Sequence, residues 1–321
     1  MLEKNSIISN RLTLEEINKS AEKNIDHFVH NFFKMQYDWM IMAYNIYKDT
    51  EKYLILAYLI KKTIATYNKH FLKISFDDFY SYEKLEIEEI KIVELVKDLD
   101  IKKETARRKI NELSNDGVII RSSRKITINQ KAFNFQKPFK TIKNYSRLLR
   151  LIGKNLNKND NLNNFEINDF ENKIKKNYTQ YWNNFLNYQI SYMLMGKKYF
   201  GDYETFLCVG VCALNQSYNL INKSKNEKIS DIADAIASLE KSAGLNPTTI
   251  SDLSGIPRAT VIRKISVLQK KGIIYKNEQN LYLLCSPKKN KAQYEKLKKR
   301  FNENQEKIKL VILETLNLIR V

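Results

Sequence analysis

Three histidines and three cysteines in 321 residues leave little material for metal or thiol chemistry. Cys208 and Cys212 stand four apart inside the apolar run FLCVGVCAL, which begins at Phe206, and Cys285 stands alone. That spacing gives neither a disulfide framework nor a zinc signature, and buried thiols on one helix face are expected instead. His27 and His30 lie three apart on a predicted helix but have no cysteine or acidic cluster at metal spacing, so they are read as structural or surface residues. A Gly-rich phosphate loop and a nucleophile motif are also missing, so neither an enzyme nor a bound cofactor or metal is expected. Long apolar runs are absent too. The opening MLEKNSIISNRLTLEEINKS lacks the apolar core of a signal peptide, and no run is long enough to span a bilayer. No membrane partner is expected, and the cytoplasm is the expected location.

What the sequence does have is positive charge. It carries 55 Lys and Arg against 36 Asp and Glu, a formal charge of +19. A polyanion such as nucleic acid is the natural partner for that imbalance. Abundant Lys, Asn, Ile and Tyr also mark the bias of AT-rich codons, so the total alone does not decide the matter. Arginine says more, because it is rare here: positions 11, 107, 108, 121, 124, 147, 150, 258, 263, 300 and 320. Arg107, Arg108, Arg121, Arg124, Arg258 and Arg263 fall in two short segments. A guanidinium fork can pair two acceptors at once on guanine or phosphate, which an ammonium cannot.

Internal repetition organises the chain. Residues 31–54 align without a gap on 184–207 at an offset of 153, with Asn31, Phe32, Gln36, Met40, Met42, Asp49, Glu51 and Leu54 identical to Asn184, Phe185, Gln189, Met193, Met195, Asp202, Glu204 and Leu207. Each copy reads as an aromatic-rich helix, then an Asp that can cap a following helix with a Glu in its first turn. Residues 101–119 align on 256–274 at an offset of 155, with Ile101, Thr105, Arg108, Lys109, Ile110, Leu113, Gly117 and Ile119 identical to Ile256, Thr260, Arg263, Lys264, Ile265, Leu268, Gly272 and Ile274. Two blocks in one order at nearly one offset predict a duplication, with copies over 1–152 and 165–321. The polar, Asn-rich stretch 153–164 between them is expected to be a linker.

The second block has the grammar of a helix-turn-helix and a hairpin, over about 92–130 and 248–285. In the second copy Thr248 or Thr249 can cap a short helix carrying Ile250 and Leu253, Gly255 supplies the turn, and Pro257 suits the first turn of the next helix. That helix carries Val261, Ile265 and Leu268 on one stripe and stops at Gly272. Two β-rich runs then flank a polar tip at residues 276–280. The first copy repeats this with Val96 and Leu99, a turn at Asp100, then Ala106, Ile110, Leu113, Gly117 and the run VIIRSSRKITIN. The predicted fold is mainly α with small β-hairpin wings: two tandem winged helix-turn-helix domains with flanking helices, in a pseudo-two-fold pair. At 100° per residue, with Ile110 and Ile265 inward, Arg108 and Arg263 point away from the core and Thr105 and Thr260 nearly so.

The pattern Thr-x-x-Arg-Lys-Ile-x-x-Leu-x-x-x-Gly-x-Ile resembles the recognition helix and wing of bacterial winged helix-turn-helix transcriptional regulators of the MarR and GntR groups. The flanking helices, including Lys291 to Val321, resemble the dimerisation helices of the MarR group. The resemblance implies a double-stranded DNA partner, with the second helix of each module in the major groove and the wing at the backbone or minor groove. It implies contacts from Lys102, Lys103, Thr105, Arg107 and Arg108 in the first copy and from Arg258, Thr260 and Arg263 in the second. Arg124 and Lys125 at the first wing and Lys276 at the second would bind phosphate or reach the minor groove. Two such helices in one chain imply two unequal half-sites, roughly 34 Å apart. The stripe Ile308, Ile312, Leu316 and Ile319 is expected to pack within the chain, with a homodimer as the alternative. A plasmid-type replication initiator with two winged helices and a winged-helix protein scaffold are alternative functions. Tyr188, Tyr192 and Tyr199 stand at helical spacing, which suits a core; the sequence leaves a small-molecule effector open.

Overall fold

The structure is a computed structural model that describes residues 11–82, 84–86, 91–121, 126–129, 137–156, 160–223 and 244–320. Helix α1 (Leu14–Glu22) opens on a capping box, with Thr13 and Glu16 satisfying each other's amides. The aromatic-rich α2 (Ile25–Tyr47) ends where Lys48 turns left-handed, at φ 50. Asp49 then caps α3 (Thr50–Lys69), its carboxylate accepting from the Glu51 and Lys52 amides. After the short α4 (Phe76–Phe79) and strand β1 (Lys84–Glu86) come α5 (Ile92–Asp98), α6 (Lys103–Asn115), β2 (Ile119–Arg121) and β3 (Ile126–Asn129). The three strands form an antiparallel sheet in the order β1-β3-β2, with Ile119 opposite Ile128 and Leu85 opposite that same residue on the other side.

The chain continues through α7 (Phe139–Lys154), α8 (Ile167–Lys176), α9 (Tyr178–Phe200) and α10 (Tyr203–Lys223). Gly201, at φ 102, and the cap Asp202 join α9 to α10 as Lys48 and Asp49 join α2 to α3. Beyond lie α11 (Pro247–Ser254), α12 (Arg258–Lys270), the antiparallel pair β4 (Ile274–Lys276) and β5 (Tyr282–Leu284), and the long α13 (Pro287–Arg320), which is kinked at Asn290.

Packing divides the chain into two compact units. One takes the residues up to Tyr37, Lys143–Glu171 and Leu207 onward; the other takes Asp38–Ile142 and Asn172–Phe206. These units differ from the sequential halves that the repeats suggest. In the second unit α9, from the later half of the sequence, lies along α3 from the earlier half. Ile74 and Thr179 exchange hydrogen bonds there, and Phe76, Phe79 and Tyr80 surround Tyr178. In the first unit α2 meets α10 in the converse way: His30 Nδ1 lies 3.3 Å from Ser217 Oγ, and Gly210 faces the Tyr37 ring.

The first unit also buries the C-terminal stripe. Ile308, Ile312, Leu316 and Ile319 are all in the core, Tyr145 bonds the Thr315 hydroxyl at 2.7 Å, and Asn317 exchanges two hydrogen bonds with the Leu12 backbone. Around the expected linker the structure departs from the sequence reading. Gly153 and Lys154 end α7, residues 161–164 form a 3-10 turn, Leu162 is fully buried, and Asp160 pairs with Arg320 at 3.0 Å. Glycine at 153 permits close packing rather than looseness: a Cβ there would sit 3.0 Å from the Leu162 carbonyl oxygen.

Cys208, Cys212 and Cys285 are buried free thiols, and burial raises the Cys212 thiol to about 12. Tyr188 and Tyr192 are core residues, while Tyr199 is half-buried with its ring against Phe200. Among the described residues no group of His, Cys, Asp and Glu could hold a metal, and no helix is long and apolar enough to cross a membrane.

Candidate nucleic-acid interface

Local chemistry builds two helix-turn-helix segments with the same landmarks. In the first, α5 turns into α6 through Asp100, left-handed at φ 48; in the second, α11 turns into α12 through Gly255, at φ 71, exactly 155 positions later. Each second helix ends at a left-handed glycine, Gly117 at φ 68 and Gly272 at φ 67. The amide after each glycine bonds back to the helix, Val118 to Leu113 and Ile273 to Leu268, both at 2.9 Å. The helix caps correct one expectation: Asn246 caps α11, accepting from the Thr249 amide, so Thr248 and Thr249 lie inside the first turn. Pro257 occupies the N-cap of α12, one position before its first turn. Two serines tighten this turn, Ser251 donating to the Ile256 carbonyl and Ser254 to the Ile250 carbonyl, each at 2.6 Å.

Ala106, Ile110 and Leu113 turn α6 inward, and Val261, Ile265 and Leu268 do the same for α12. The opposite faces are exposed. On α6 and its cap, Lys102, Lys103, Arg107 and Arg108 reach solvent; on α12, Arg258 and Arg263 do. Thr105 and Thr260 are half-buried: they lie nearly opposite the inward isoleucine, but eight positions before Leu113 and Leu268 they fall about 80° from those buried leucines, at the edge of the stripe. Lys276 is exposed at the end of β4 with its ammonium 5.9 Å from the Tyr282 ring, so the polar tip begins one residue later than expected. Arg124 and Lys125 lie outside the described residues.

The two exposed faces carry different electrostatics. Arg107 pairs with Glu104 at 3.1 Å, and Arg108 pairs with Glu112 at 2.6 Å. Glu112 in turn lies 3.5 Å from Lys52, which also holds Asp116 at 2.9 Å. On α12, Arg258 donates to the Thr248 hydroxyl at 3.1 Å, and Arg263 has no acidic partner among the described residues.

One important residue escaped the sequence reading. Lys109, on α6, is almost fully buried, and its ammonium pairs with Asp49 and with Glu51, 3.6 Å away. Glu51 also takes Lys197 of α9 at 2.7 Å. Asp49 therefore caps α3 with one oxygen and grips α6 with the other. A buried ammonium needs such partners, and this one ties α6 to α3 and, through Glu51, to α9. The signal was present in the repeats: Lys109, Asp49 and Glu51 are all matched, by Lys264, Asp202 and Glu204.

A family model described as a DeoR-like helix-turn-helix domain matches residues 86–130, the span of α5, α6, β2 and β3. The match supports a winged helix-turn-helix regulator, and with it DNA binding. No curated protein and no solved structure matches the chain.

Proposed function

We propose that this chain is a cytoplasmic, sequence-specific transcriptional regulator that reads two unequal half-sites of double-stranded DNA with α6 and α12. One observation carries the reading: the DeoR-like match falls on a helix-turn-helix whose outward face bears Lys102, Lys103, Arg107 and Arg108. Such a helix fits the major groove, where guanidinium forks pair with guanine and ammonium groups meet phosphate.

The second reader rests on the matching landmarks. Asp100 and Gly255, and Gly117 and Gly272, take left-handed conformations at one offset, and the ring pairs Trp39–Tyr53 and Tyr192–Phe206 recur at the other. Duplication of a winged domain over 1–152 and 165–321 explains these coincidences together. The kinship with the MarR and GntR groups rests on the recognition-helix pattern alone. Burial of the Ile308–Ile319 stripe inside the chain favours a single chain over a homodimer on DNA.

Recovery of bound DNA across the genome tests the reading. Sites upstream of genes, each an imperfect palindrome, are expected. Clustered direct repeats at a replication origin would instead make the chain an initiator, and failure to bind any duplex at moderate salt would overturn both readings.

A further inference from the structure

The two recognition helices share an outward arginine but not its surroundings. On α6 the positions four before and four after Arg108 are Glu104 and Glu112, and position 107 is Arg. On α12 the corresponding residues are Ala259, Val267 and Ile262. At these three positions the charged neighbours of the shared arginine have become hydrocarbon, while the lysine that follows it, Lys109 or Lys264, is kept. The exchange is visible on the surface: Ile262 is 43% and Val267 39% exposed, while Glu112 engages Arg108 and Glu104 engages Arg107.

At 100° per residue, Ala259 and Val267 lie within about 60° of Arg263, and Ile262 is its neighbour on the flank. Together they make an apolar surface around one guanidinium that has no acid among the described residues to hold it. In the major groove the apolar feature that distinguishes bases is the thymine methyl group, and small or branched hydrocarbon side chains are what contact it.

Resting on the reading of α12 as a DNA-recognition helix, we propose that this helix selects thymine-containing half-sites by packing Ala259 and Ile262 against thymine methyl groups beside the Arg263 contact. Helix α6, with its arginines paired to its own glutamates, lacks that surface and discriminates differently.

Duplexes selected from a random library by the full-length protein provide the probe. One selected duplex is synthesised with thymine, and again with deoxyuridine in one half-site or the other, which removes the methyl and nothing else from the groove edge. Uracil in one half-site is expected to weaken binding about fourfold per contacted methyl, the equivalent of about 0.8 kcal/mol. Uracil in the other half-site is expected to change affinity by less than twofold. In Ile262→Ala the penalty should shrink in the sensitive half-site alone.

Equal penalties in both half-sites, or a penalty that survives in full in Ile262→Ala, overturn the proposal. So does a duplex indifferent to uracil throughout, which would assign the apolar face of α12 to a protein partner. Failure to select any duplex would instead remove the DNA-binding reading on which the proposal rests.

Discussion

At the residue scale, the two arginines should not be equal. Arg263 is exposed and has no acidic partner among the described residues, whereas Arg108 must leave Glu112 before it can meet a base. Arg263→Ala is expected to cost about 2–3 kcal/mol of binding to a selected duplex, and Arg108→Ala about 1 kcal/mol, as read by equilibrium titration. Glu112→Gln should act in the opposite direction and tighten binding a fewfold at low salt, since it releases Arg108; unchanged affinity would place Arg108 away from the DNA. Lys109 belongs to stability instead. Truncating it to Ala leaves Asp49 without its ammonium partner while Glu51 keeps Lys197, and because both acids are about a quarter exposed the expected loss is about 1–3 kcal/mol, below the range for a fully buried pair. Denaturant unfolding measures it.

His30 gives a pH dependence whose direction follows from its surroundings. Burial, helped by the charges of Lys34 and His27, lowers its imidazole below the ordinary value of 6.5. Below that value the unfolded chain takes up a proton that the folded chain resists. Stability is therefore expected to fall as the pH drops below about 6.5, with the loss complete once the pH passes the lower, folded value. His30→Gln should flatten the stability curve between about pH 7 and 5; an identical curve in the variant would assign the dependence to other groups.

At the scale of elements, the helix contacts are close enough to test with a single methyl group. Replacing Gly by Ala inside a helix ordinarily gains about 1 kcal/mol. At Gly210 the sign should reverse, because the added carbon would land on the Tyr37 ring, which is itself buried. A lower melting temperature for Gly210→Ala, partly recovered by Tyr37→Leu, is the expected result, and a higher one would contradict the packing of α10 on α2. Much at this scale was legible in the sequence. The glycine turns, the inward stripes of α6 and α12 and the capping role of Asp49 and Asp202 all follow from local rules, and local rules are what a sequence displays.

Other features depend on partners far along the chain. Lys109 is matched in the repeats, but nothing near it in sequence shows Asp49 arriving beside it. The stretch after Gly153 reads as a linker, because its two leucines, Leu156 and Leu162, stand apart among polar residues and only their burial reveals the packing. Strand β1 was missed, being three residues long with its partner more than forty positions away. The pairing of α9 with α3 was equally hidden, since an amphipathic helix declares that it has a buried face but not which helix covers it.

At the scale of the whole molecule, the charge of +19 and the two basic helices make one demand on solution behaviour. A protein that displaces counterions at six to ten phosphates loses about a thousandfold or more in affinity between roughly 50 and 200 mM salt. A drop of that order is expected here, and a flat response would leave the charge as codon bias. The central claim is narrower: one chain carries two readers, each serving its own half-site. Footprinting a selected duplex with the wild-type protein, Arg108→Ala and Arg263→Ala measures this directly. Protection of two half-sites at one chain per duplex is expected, with each variant losing protection in a different half. Loss of the same half in both variants, or two chains on every duplex, would contradict it.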